Sequence, residues 1–432
     1  MKTTLTGLAT LAAATAFGTV PTVSDVAYVQ DPSSRRMTIT YKIDAPAVIT
    51  IGVQTNAPGC DWVDLPDSAR SHFTGACNRL VTETGVEQTA FWQPDKAWPG
   101  HKITTENARV VVTAWAKDSP PDYMAVSLTD GSKRFYSCVE AVPGGATNTL
   151  YKSSVMLFRR IPAAGVIWRI GAPDIEVGNK FKDAWPHLVT LKEDYYIGIY
   201  PATTYQMKLL TGTTYSYGVS TDFDYCPAQY ISWTAMRGSG STWPTSDNSH
   251  RVDAGSLLSD YIRPKMKISD LDLPTDAQWE YACRAGCASA LYNGSELALF
   301  DDSDLAAERA VNLQLSEIAW WKGNSDEGYG TPRVHHVGEK QPNAWGIYDM
   351  IGNSLEWVLD WYEDWYSGNF DAGEVREDPV GPSSGSSRVV RGGGAESTAR
   401  SCRSAYRALW TPDTKKDGTV RLSCSIKNVL AE

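Results

Sequence analysis

The chain has 432 residues, of which 42% are hydrophobic and 21% charged, so it is long enough for two ordinary domains with apolar cores. Its formal net charge at pH 7 is -10, and it contains no block of Lys or Arg. Because nucleic acids and anionic membranes attract clustered positive charge, this composition argues against either of them as a partner.

The first residues, "MKTTLTGLATLAAATAFG", predict export. Lys2 gives a short basic start, a run of Leu, Ala and Thr follows, and Ala14-Thr15-Ala16 matches a small-x-small cleavage site. We therefore predict a signal peptide over residues 1–16 and a secreted, periplasmic or cell-surface protein. The apolar run is too short to span a bilayer, so no membrane insertion is expected. A structured N-terminal strand or helix is the alternative.

Export makes the cysteines candidates for disulfide bonds, although their spacing does not define which residues pair. Cys60 and Cys77 share one loop-rich stretch and are the first pair to consider. The eight cysteines are residues 60, 77, 138, 226, 283, 287, 402 and 424.

Residues 17–140 predict an all-β sandwich domain of immunoglobulin or fibronectin type. Met37, Ile39, Tyr41 and Ile43 alternate with polar residues, as in a half-buried strand, and a second alternating run follows at residues 49–53. The stretches "ARVVVTAWA" and "YMAVSLTD" are also typical of strands, with a turn signal between them. No catalytic constellation is visible here, so we interpret the domain as a spacer or docking module.

Residues 141–150, which contain "AVPGGATNT", predict a linker because Pro, Gly and small polar residues separate two patterned regions. One helix is clear in the region that follows. In "LPTDAQWEYACRAG", Thr275 and Gln278 have the spacing of a capping box, and Gly286 is expected to end the helix. Trp279, Ala282 and Cys283 would lie on its buried face.

Five stretches in order resemble the formylglycine-generating enzyme family, also called sulfatase-modifying factors. The stretches are "IPAAGVIWRIGAP", "HLVTLKEDYYIGIYPATTYQM", "LPTDAQWEYACRAG", "PNAWGIYDMIGNSLEWVLDWY" and "RVVRGG...CRSAYR". The resemblance implies that residues 151–432 adopt an α+β fold, a variant of the C-type lectin fold. It does not cover the N-terminal β-domain.

The same resemblance implies a structural calcium site in "YDMIGNSLEW". Asp349 and Glu356 would give side-chain ligands, and Gly352 and Ser354 would give backbone carbonyls, which are the hard oxygen donors that calcium prefers. A second family site, with a looser local match, would include Asn312. In the alternative interpretation, Asn353 and Glu356 brace a loop by hydrogen bonds.

Family members that oxidise a sulfatase cysteine hold copper(I) with two active-site cysteines, and a thiolate pair suits this soft ion. Aligned from "RGG", the second of these positions is Cys402, and the first is Ser397. A hydroxyl cannot replace a thiolate, so the alignment argues against copper and for a non-oxidase member. If the chain is an enzyme, Cys402 is the candidate catalytic residue, with a second thiol such as Cys226 or Cys424 close in space.

Without such chemistry, Cys402 is expected to be buried or to form a disulfide with Cys424. A nucleophilic role would need a base, for which the pair His335-His336 is the only suggestive candidate. These histidines occur in the polar stretch "GTPRVHHVGEK" and are expected to lie in a solvated loop.

The function we favour is a binding module that recognises a glycan, peptide or protein, and a sulfatase-maturation oxidase or related oxidoreductase with a rearranged site is the alternative. Arg391, Cys402, Arg403, Tyr406 and Arg407 match the family scaffold, whereas the loop residues between and after them diverge. The chain also resembles the variable proteins of diversity-generating retroelements. The predicted ligand-binding residues are Glu396, Ser397, Thr398, Ser401, Leu409, Trp410, Thr414, Lys415 and Lys416.

Overall fold

The computed structural model divides the chain into two compact units. One contains residues 1–125, 133–148 and 430–432, and the other contains residues 126–132 and 149–429. The predicted signal peptide lies outside the described residues. The structure describes residues 20–56, 60–65, 72–100, 107–173, 176–177, 186–216, 223–240, 243–245, 249–298, 304–326, 330–363 and 374–430.

The elements before residue 149 are nearly all strands, with one short helix and a 3-10 turn at Val139–Ala141. They are β1 (Val23–Gln30), β2 (Met37–Ile43), β3 (Ala47–Thr55), β4 (Val63–Asp64), β5 (Phe73–Gly75), β6 (Arg79–Val81), β7 (Gln88–Trp92), α1 (Pro94–Ala97), β8 (Ala108–Trp115), β9 (Tyr123–Ser127) and β10 (Lys133–Tyr136).

The first unit contains two antiparallel sheets that share one apolar core. In one sheet the strand order is β1-β2-β7-β5, and in the other β3 pairs with β4, β6 and β8. β2 alternates buried and half-buried residues along its whole length, as its sequence pattern predicts. Ile39 and Tyr41 of β2 and Ile49 and Ile51 of β3 belong to the same buried cluster, so the two sheets face each other.

The second unit mixes helices and strands, which confirms the expected α+β content. Two 3-10 turns, Thr149–Lys152 and Ala399–Ser401, and a π-helical turn at Leu258–Ile262 accompany them. The elements are β11 (Val155–Ile161), β12 (Ile167–Ile170), β13 (His187–Thr190), β14 (Tyr195–Gly198), α2 (Thr204–Thr211), α3 (Trp233–Arg237), α4 (Arg263–Met266), α5 (Asp276–Arg284), α6 (Leu305–Val311), α7 (Leu313–Ile318), β15 (Leu355–Trp361), β16 (Val375–Glu377), β17 (Arg388–Arg391), β18 (Arg407–Trp410), β19 (Gly418–Val420) and β20 (Ser423–Ser425).

Three small sheets organise this unit. β14 lies between β11 and β20, β13 lies between β12 and β16, and a four-stranded sheet has the order β18-β17-β15-β19. The four-stranded sheet is mixed, because β15 runs antiparallel to β17 and parallel to β19. This sheet carries both sequence stretches from which the recognition loops were predicted.

Helix α5 has the predicted capping box, in which Thr275 Oγ1 accepts a hydrogen bond from the backbone N–H of Gln278 at 3.1 Å. Trp279, Ala282 and Cys283 are fully buried, as expected. The end of the helix was predicted one residue too late. Ala285 takes the left-handed cap conformation, with φ 46°, and Gly286 follows with a positive φ of its own. Among the described residues, no helix has the length and apolarity that crossing a membrane requires.

Candidate ligand-binding site

The strands that bear the predicted loops are held by buried ion pairs. Arg391, at the end of β17, donates from Nη2 to Glu280 at 2.9 Å and from Nε to Asp276. Arg407, at the start of β18, donates from Nε to Asp276 Oδ2 at 2.9 Å. Both carboxylates belong to α5, and all four side chains are buried. These arginines therefore stabilise the scaffold and are not available to a ligand.

Cys402 lies in the main apolar core of the second unit, fully shielded from solvent. Burial, reinforced by the nearby Glu308 carboxylate, raises the pKa of its thiol far above the usual value. Cys283 belongs to the same core, and burial raises the pKa of its thiol to about 12. Cys226 lies in a different cluster, with Val334 and Ala395. Cys402 is a buried thiol outside any disulfide, so the burial alternative holds for it and the predicted bond to Cys424 does not form.

Ser397 stabilises its own loop. Its Oγ accepts a hydrogen bond from the backbone N–H of Gly394 at 2.9 Å, and its carbonyl accepts one from Lys322 N at 3.0 Å. Two residues further on, the backbone N–H of Ala399 donates to Glu308 Oε1 at 3.0 Å. The loop is therefore fixed at several points along its backbone.

The predicted ligand-binding residues all reach solvent, in contrast to the buried arginines and Cys402. Glu396, Lys415 and Lys416 are exposed, and the other six, which are Ser397, Thr398, Ser401, Leu409, Trp410 and Thr414, are half-buried. Of the residues that match the family scaffold, Tyr406 is half-buried and the other four are buried.

Ser354 joins the two predicted loops. β17 and β18 form an antiparallel pair, so residues 392–406 leave it at one end and residues 411–417 at the other. The second loop nevertheless returns, because Asp417 O accepts a hydrogen bond from Ser354 Oγ at 2.6 Å. A Cβ on Gly394 would lie 3.6 Å from Ser354 Cα, so the first loop passes the same residue. The two predicted loops therefore approach each other at Ser354, which is buried.

Trp410 extends this junction with a large aromatic ring. The ring packs edge-on against Trp357 at a centroid distance of 5.4 Å. A Cβ on Gly418 would lie 2.5 Å from the Trp410 ring, so only glycine leaves space for it there. The backbone N–H of Tyr230 donates to Lys416 O at 2.8 Å, and this hydrogen bond holds loop 411–417 in place. A half-exposed indole on a fixed loop suits contact with a sugar ring or an aromatic side chain.

The sequence analysis did not predict that the rings of Trp320 and His335 contact each other. The rings of these two residues stack at 3.7 Å with 9° between their planes, and the ammonium of Lys340 lies 3.7 Å from the Trp320 centroid. His335 is thus mostly buried, and burial lowers its pKa, so the predicted solvated loop is wrong for this residue. The His336 side chain is 44% exposed. The paired aromatic types were visible in the sequence, but residues fifteen positions apart gave no sign of contact.

Both carboxylates predicted for calcium bind protein groups, and Glu356 forms a buried ion pair with Arg421. Glu356 Oε1 accepts from Arg421 Nη2 at 2.6 Å, and Oε2 accepts from Trp279 Nε1 at 2.7 Å. Asp349 Oδ2 accepts from the backbone N–H of Gly338 at 2.7 Å. Burial raises the pKa of Asp349 to about 6, a rise that the Gly338 hydrogen bond and the Arg421 charge oppose.

Two of the other predicted ligands, Gly352 and Asn312, also accept hydrogen bonds from the protein. The Gly352 carbonyl accepts from Ser354 N at 2.8 Å, and Asn312 Oδ1 accepts from Ala298 N at 3.1 Å. Within the described residues, no group of three or more His, Cys, Asp or Glu side chains could hold a metal ion. In this arrangement Asp349, Glu356 and Asn312 use side-chain oxygens within the protein, and calcium binding stays a prediction of the resemblance.

A family model, described as the sulfatase-modifying factor enzyme 1-like domain, matches residues 168–420. The chain belongs to this family. The match covers every element from β13 to β19, including both loops that meet at Ser354. The sequence resemblance is therefore confirmed at the family level.

The curated relatives of this family member include formylglycine-generating enzymes. The enzyme of Bos taurus is 32% identical over 146 residues, which is 33% of this chain and 35% of that protein. The enzyme of Thermomonospora curvata is 34% identical over 156 residues, which is 33% of this chain and 45% of that protein. The chain thus spans less than half the length of these relatives.

Two solved structures are similar to this family member. Treponema denticola variable protein 1 is 22% identical, with a TM-score of 0.45 over 63% of this chain and 96% of that one. PvdO from Pseudomonas aeruginosa is 21% identical, with a TM-score of 0.43 over 62% of this chain and 94% of that one.

Proposed function

We propose that this family member is an exported binding protein of C-type lectin-like fold that lacks copper-dependent cysteine oxidase activity. Its ligand would be a glycan, a peptide or a protein surface that contacts loops 394–401 and 409–416. The observation that carries this proposal is the division between exposed loop side chains and internally paired arginines beneath them. Loops that vary on a rigid scaffold are a common basis of recognition.

The state of Cys402 supports the loss of oxidase chemistry. Copper(I) needs thiolates, and the thiol of Cys402 is buried with a strongly raised pKa. The aligned partner position holds Ser397, whose hydroxyl accepts a hydrogen bond within its own loop. Neither the thiol of Cys402 nor the hydroxyl of Ser397 offers the thiolate that copper(I) needs.

The alternative is a formylglycine-generating oxidase, or a related metal-dependent oxidoreductase, with a rearranged site. One observation bears on it: Cys283 of helix α5 is a second thiol in the same buried core as Cys402. A copper ion at these thiols would have to offset the loss of two buried protons and of apolar packing.

The deciding experiment combines metal analysis with ligand screening of the purified full chain. We expect no stoichiometric copper or iron, and binding on glycan or peptide arrays that the double variant Lys415→Ala/Lys416→Ala weakens at least tenfold. Lys117→Ala, an exposed lysine in the first unit, is the matched control. One copper per chain that disappears in Cys402→Ala would establish the oxidase instead.

We further propose that the loop surface is diversified by a retroelement. A template repeat next to the gene, identical to the segment encoding residues 391–417 except at adenines, would support this part of the proposal. Its absence from the surrounding genomic sequence would remove it and leave ligand binding untouched.

A further inference from the structure

A second candidate site lies in the second unit, apart from loops 394–401 and 409–416. It is a cavity of about 210 Å³, lined by residues from the start of β14, the start of α5, β20 and the segment around residue 250. At roughly 30 Å³ per water molecule, this volume accommodates a ligand of about seven non-hydrogen atoms. Its polar groups show which chemistry it would accept.

His250 presents an oriented acceptor to the cavity. Its Nδ1 lies 3.0 Å from Asp272 Oδ2 and donates to that carboxylate, so in the neutral imidazole Nε2 is the acceptor. Asp272 is fully buried, and Arg237 Nε contacts both of its oxygens at 3.0 and 3.1 Å. Among the described residues, Nε2 of His250 has no hydrogen-bond partner, and the side chain is 27% exposed.

The charge of Asp272 keeps this arrangement in place. Burial alone would raise the pKa of its carboxyl, but Arg237, His250 and Arg263 outweigh that effect, and the pKa is lowered. An ionised carboxylate at Nδ1 holds the imidazole ring in one orientation.

Trp243 supplies a donor next to this acceptor. Its ring stacks on the His250 ring at a centroid distance of 5.3 Å with 29° between the planes. The side chain lines the cavity, yet only 3% of Trp243 is exposed, and its Nε1 is buried without a partner in the described part of the chain. A buried indole N–H normally has an acceptor, so a ligand atom that accepts a hydrogen bond would satisfy it.

The cavity walls are negatively charged. Glu193, Asp194 and Asp378 line it, and no Lys or Arg does. Lys427 pairs with Glu193 and Arg160 pairs with Asp194, but neither cation lines the cavity. A field of this sign favours a cation and disfavours an anion.

We propose that this cavity binds a small amino alcohol or a similar organic cation. Its ammonium N–H donates to His250 Nε2, its hydroxyl oxygen accepts from Trp243 Nε1, and its charge faces Glu193, Asp194 and Asp378. The site would be a second function of the chain, independent of recognition by the loops at Ser354.

Four small probes of similar size test the proposal on the full chain by ligand-observed NMR titration at pH 7.5. They are 4-amino-1-butanol, n-butylammonium, 1,4-butanediol and 4-hydroxybutyrate. We expect saturable binding of 4-amino-1-butanol, weaker binding of n-butylammonium, at least tenfold weaker binding of the diol, and none of the anion. Equal binding of the diol, preferential binding of the anion, or no binding of any probe overturns the proposal.

Variants then locate the binding site. His250→Phe keeps the ring stacked on Trp243 but removes Nε2, and should weaken 4-amino-1-butanol at least tenfold, since the bond is charge-assisted. Asp378→Asn should weaken it about threefold at low salt, and less as salt rises. Glu317→Gln, the same charge change on the exposed face of α7, should have no effect.

Two further outcomes keep this test separate from the loop proposal. Lys415→Ala/Lys416→Ala should leave amine binding unchanged, even where it abolishes loop recognition. If His250→Phe does not fold, as judged by its thermal transition, Asp378→Asn decides, and unchanged affinity and salt dependence in that variant refute the site.

Discussion

Arg421 and Glu356 form an ion pair that no solvent reaches, with Nη2 of the arginine 2.6 Å from Oε1 of the glutamate. Arg421 also donates to the carbonyls of Gly198 and Tyr348, at 2.9 and 2.8 Å. A carboxylate that accepts from this guanidinium and from an indole N–H is saturated. This explains why the residue that the resemblance assigns to calcium acts here as a structural tie between β15 and the segment after β19.

Breaking this pair should be costly. We expect Arg421→Met to lower the free energy of unfolding by about 3–5 kcal/mol, because it leaves a buried carboxylate without its counter-charge. Urea denaturation followed by tryptophan fluorescence measures the change. Lys427→Met is the matched control, since its ion pair with Glu193 is exposed and should contribute less than about 1 kcal/mol. Similar losses in the two variants would contradict the assigned role.

Calcium removal should have no effect on the stability of the wild-type chain. The predicted ligands already accept hydrogen bonds from protein groups, so we expect the same thermal transition with calcium as with excess EDTA. Differential scanning calorimetry provides the comparison. If EDTA lowers the transition and Glu356→Gln abolishes that response, Glu356 is a calcium ligand, and Arg421 must move away from it when the ion binds.

Thiol reactivity should follow burial. Cys60 is exposed, whereas Cys402 is buried and its pKa is raised, and alkylation requires the thiolate. We expect iodoacetamide to modify Cys60 rapidly in the native chain and Cys402 only after unfolding in urea. Peptide mass spectrometry before and after denaturation distinguishes the two sites. Rapid native modification of Cys402 would mean that the thiol is accessible and activated.

The turn at Gly393 should tolerate no side chain. Gly393 has φ 71°, and a Cβ would lie 2.7 Å from Ser401 O and 2.9 Å from Cys402 Sγ. Gly294 has a similar φ of 87° with open space around it. We expect Gly294→Ala to cost about 1–2 kcal/mol from backbone strain alone. Gly393→Ala should cost roughly 1–3 kcal/mol more, because the core must also move. If urea denaturation gave the same loss of stability for Gly294→Ala and Gly393→Ala, the core around Gly393 would accommodate the methyl group.

Asp360 should make stability fall as pH rises. Burial, together with the Asp276 carboxylate, raises its pKa to about 7. The unfolded chain ionises near pH 4, so between about pH 4 and 7 the folded state holds a proton that the unfolded state has lost. Asp360→Asn removes this dependence, and relative to wild type it should gain on the order of a few kcal/mol between pH 4 and pH 8.

Asp130 provides the control of opposite sign. It is exposed, and hydrogen bonds from Ser132 and Ser127 lower its pKa to about 2. Asp130→Asn should therefore lose stability relative to wild type at neutral pH, and the loss should disappear as pH falls towards 2. Urea denaturation at several pH values tests both variants. A constant difference between Asp360→Asn and wild type from pH 4 to pH 8 would show that Asp360 is ionised throughout.

The sequence by itself determined the local elements and the family. The alternation from Met37 to Ile43 predicts β2 because side chains of a strand point alternately to opposite faces, and the Thr275–Gln278 spacing predicts the start of α5 because both partners of a capping box are local. The order of the five motifs identifies the family, which the match over residues 168–420 confirms.

Only the tertiary structure decided which charges and loops meet. Residue type could not show that Glu356 pairs with Arg421, 65 positions away, and both outcomes, ion pair and metal site, use the same carboxylate. The contact of Gly394 and Asp417 at Ser354, the stacking of Trp320 on His335, and the cavity at His250 are likewise long-range. Such contacts depend on how the sheets and helices pack. The periodicity of residue types along the chain does not show which distant residues come together.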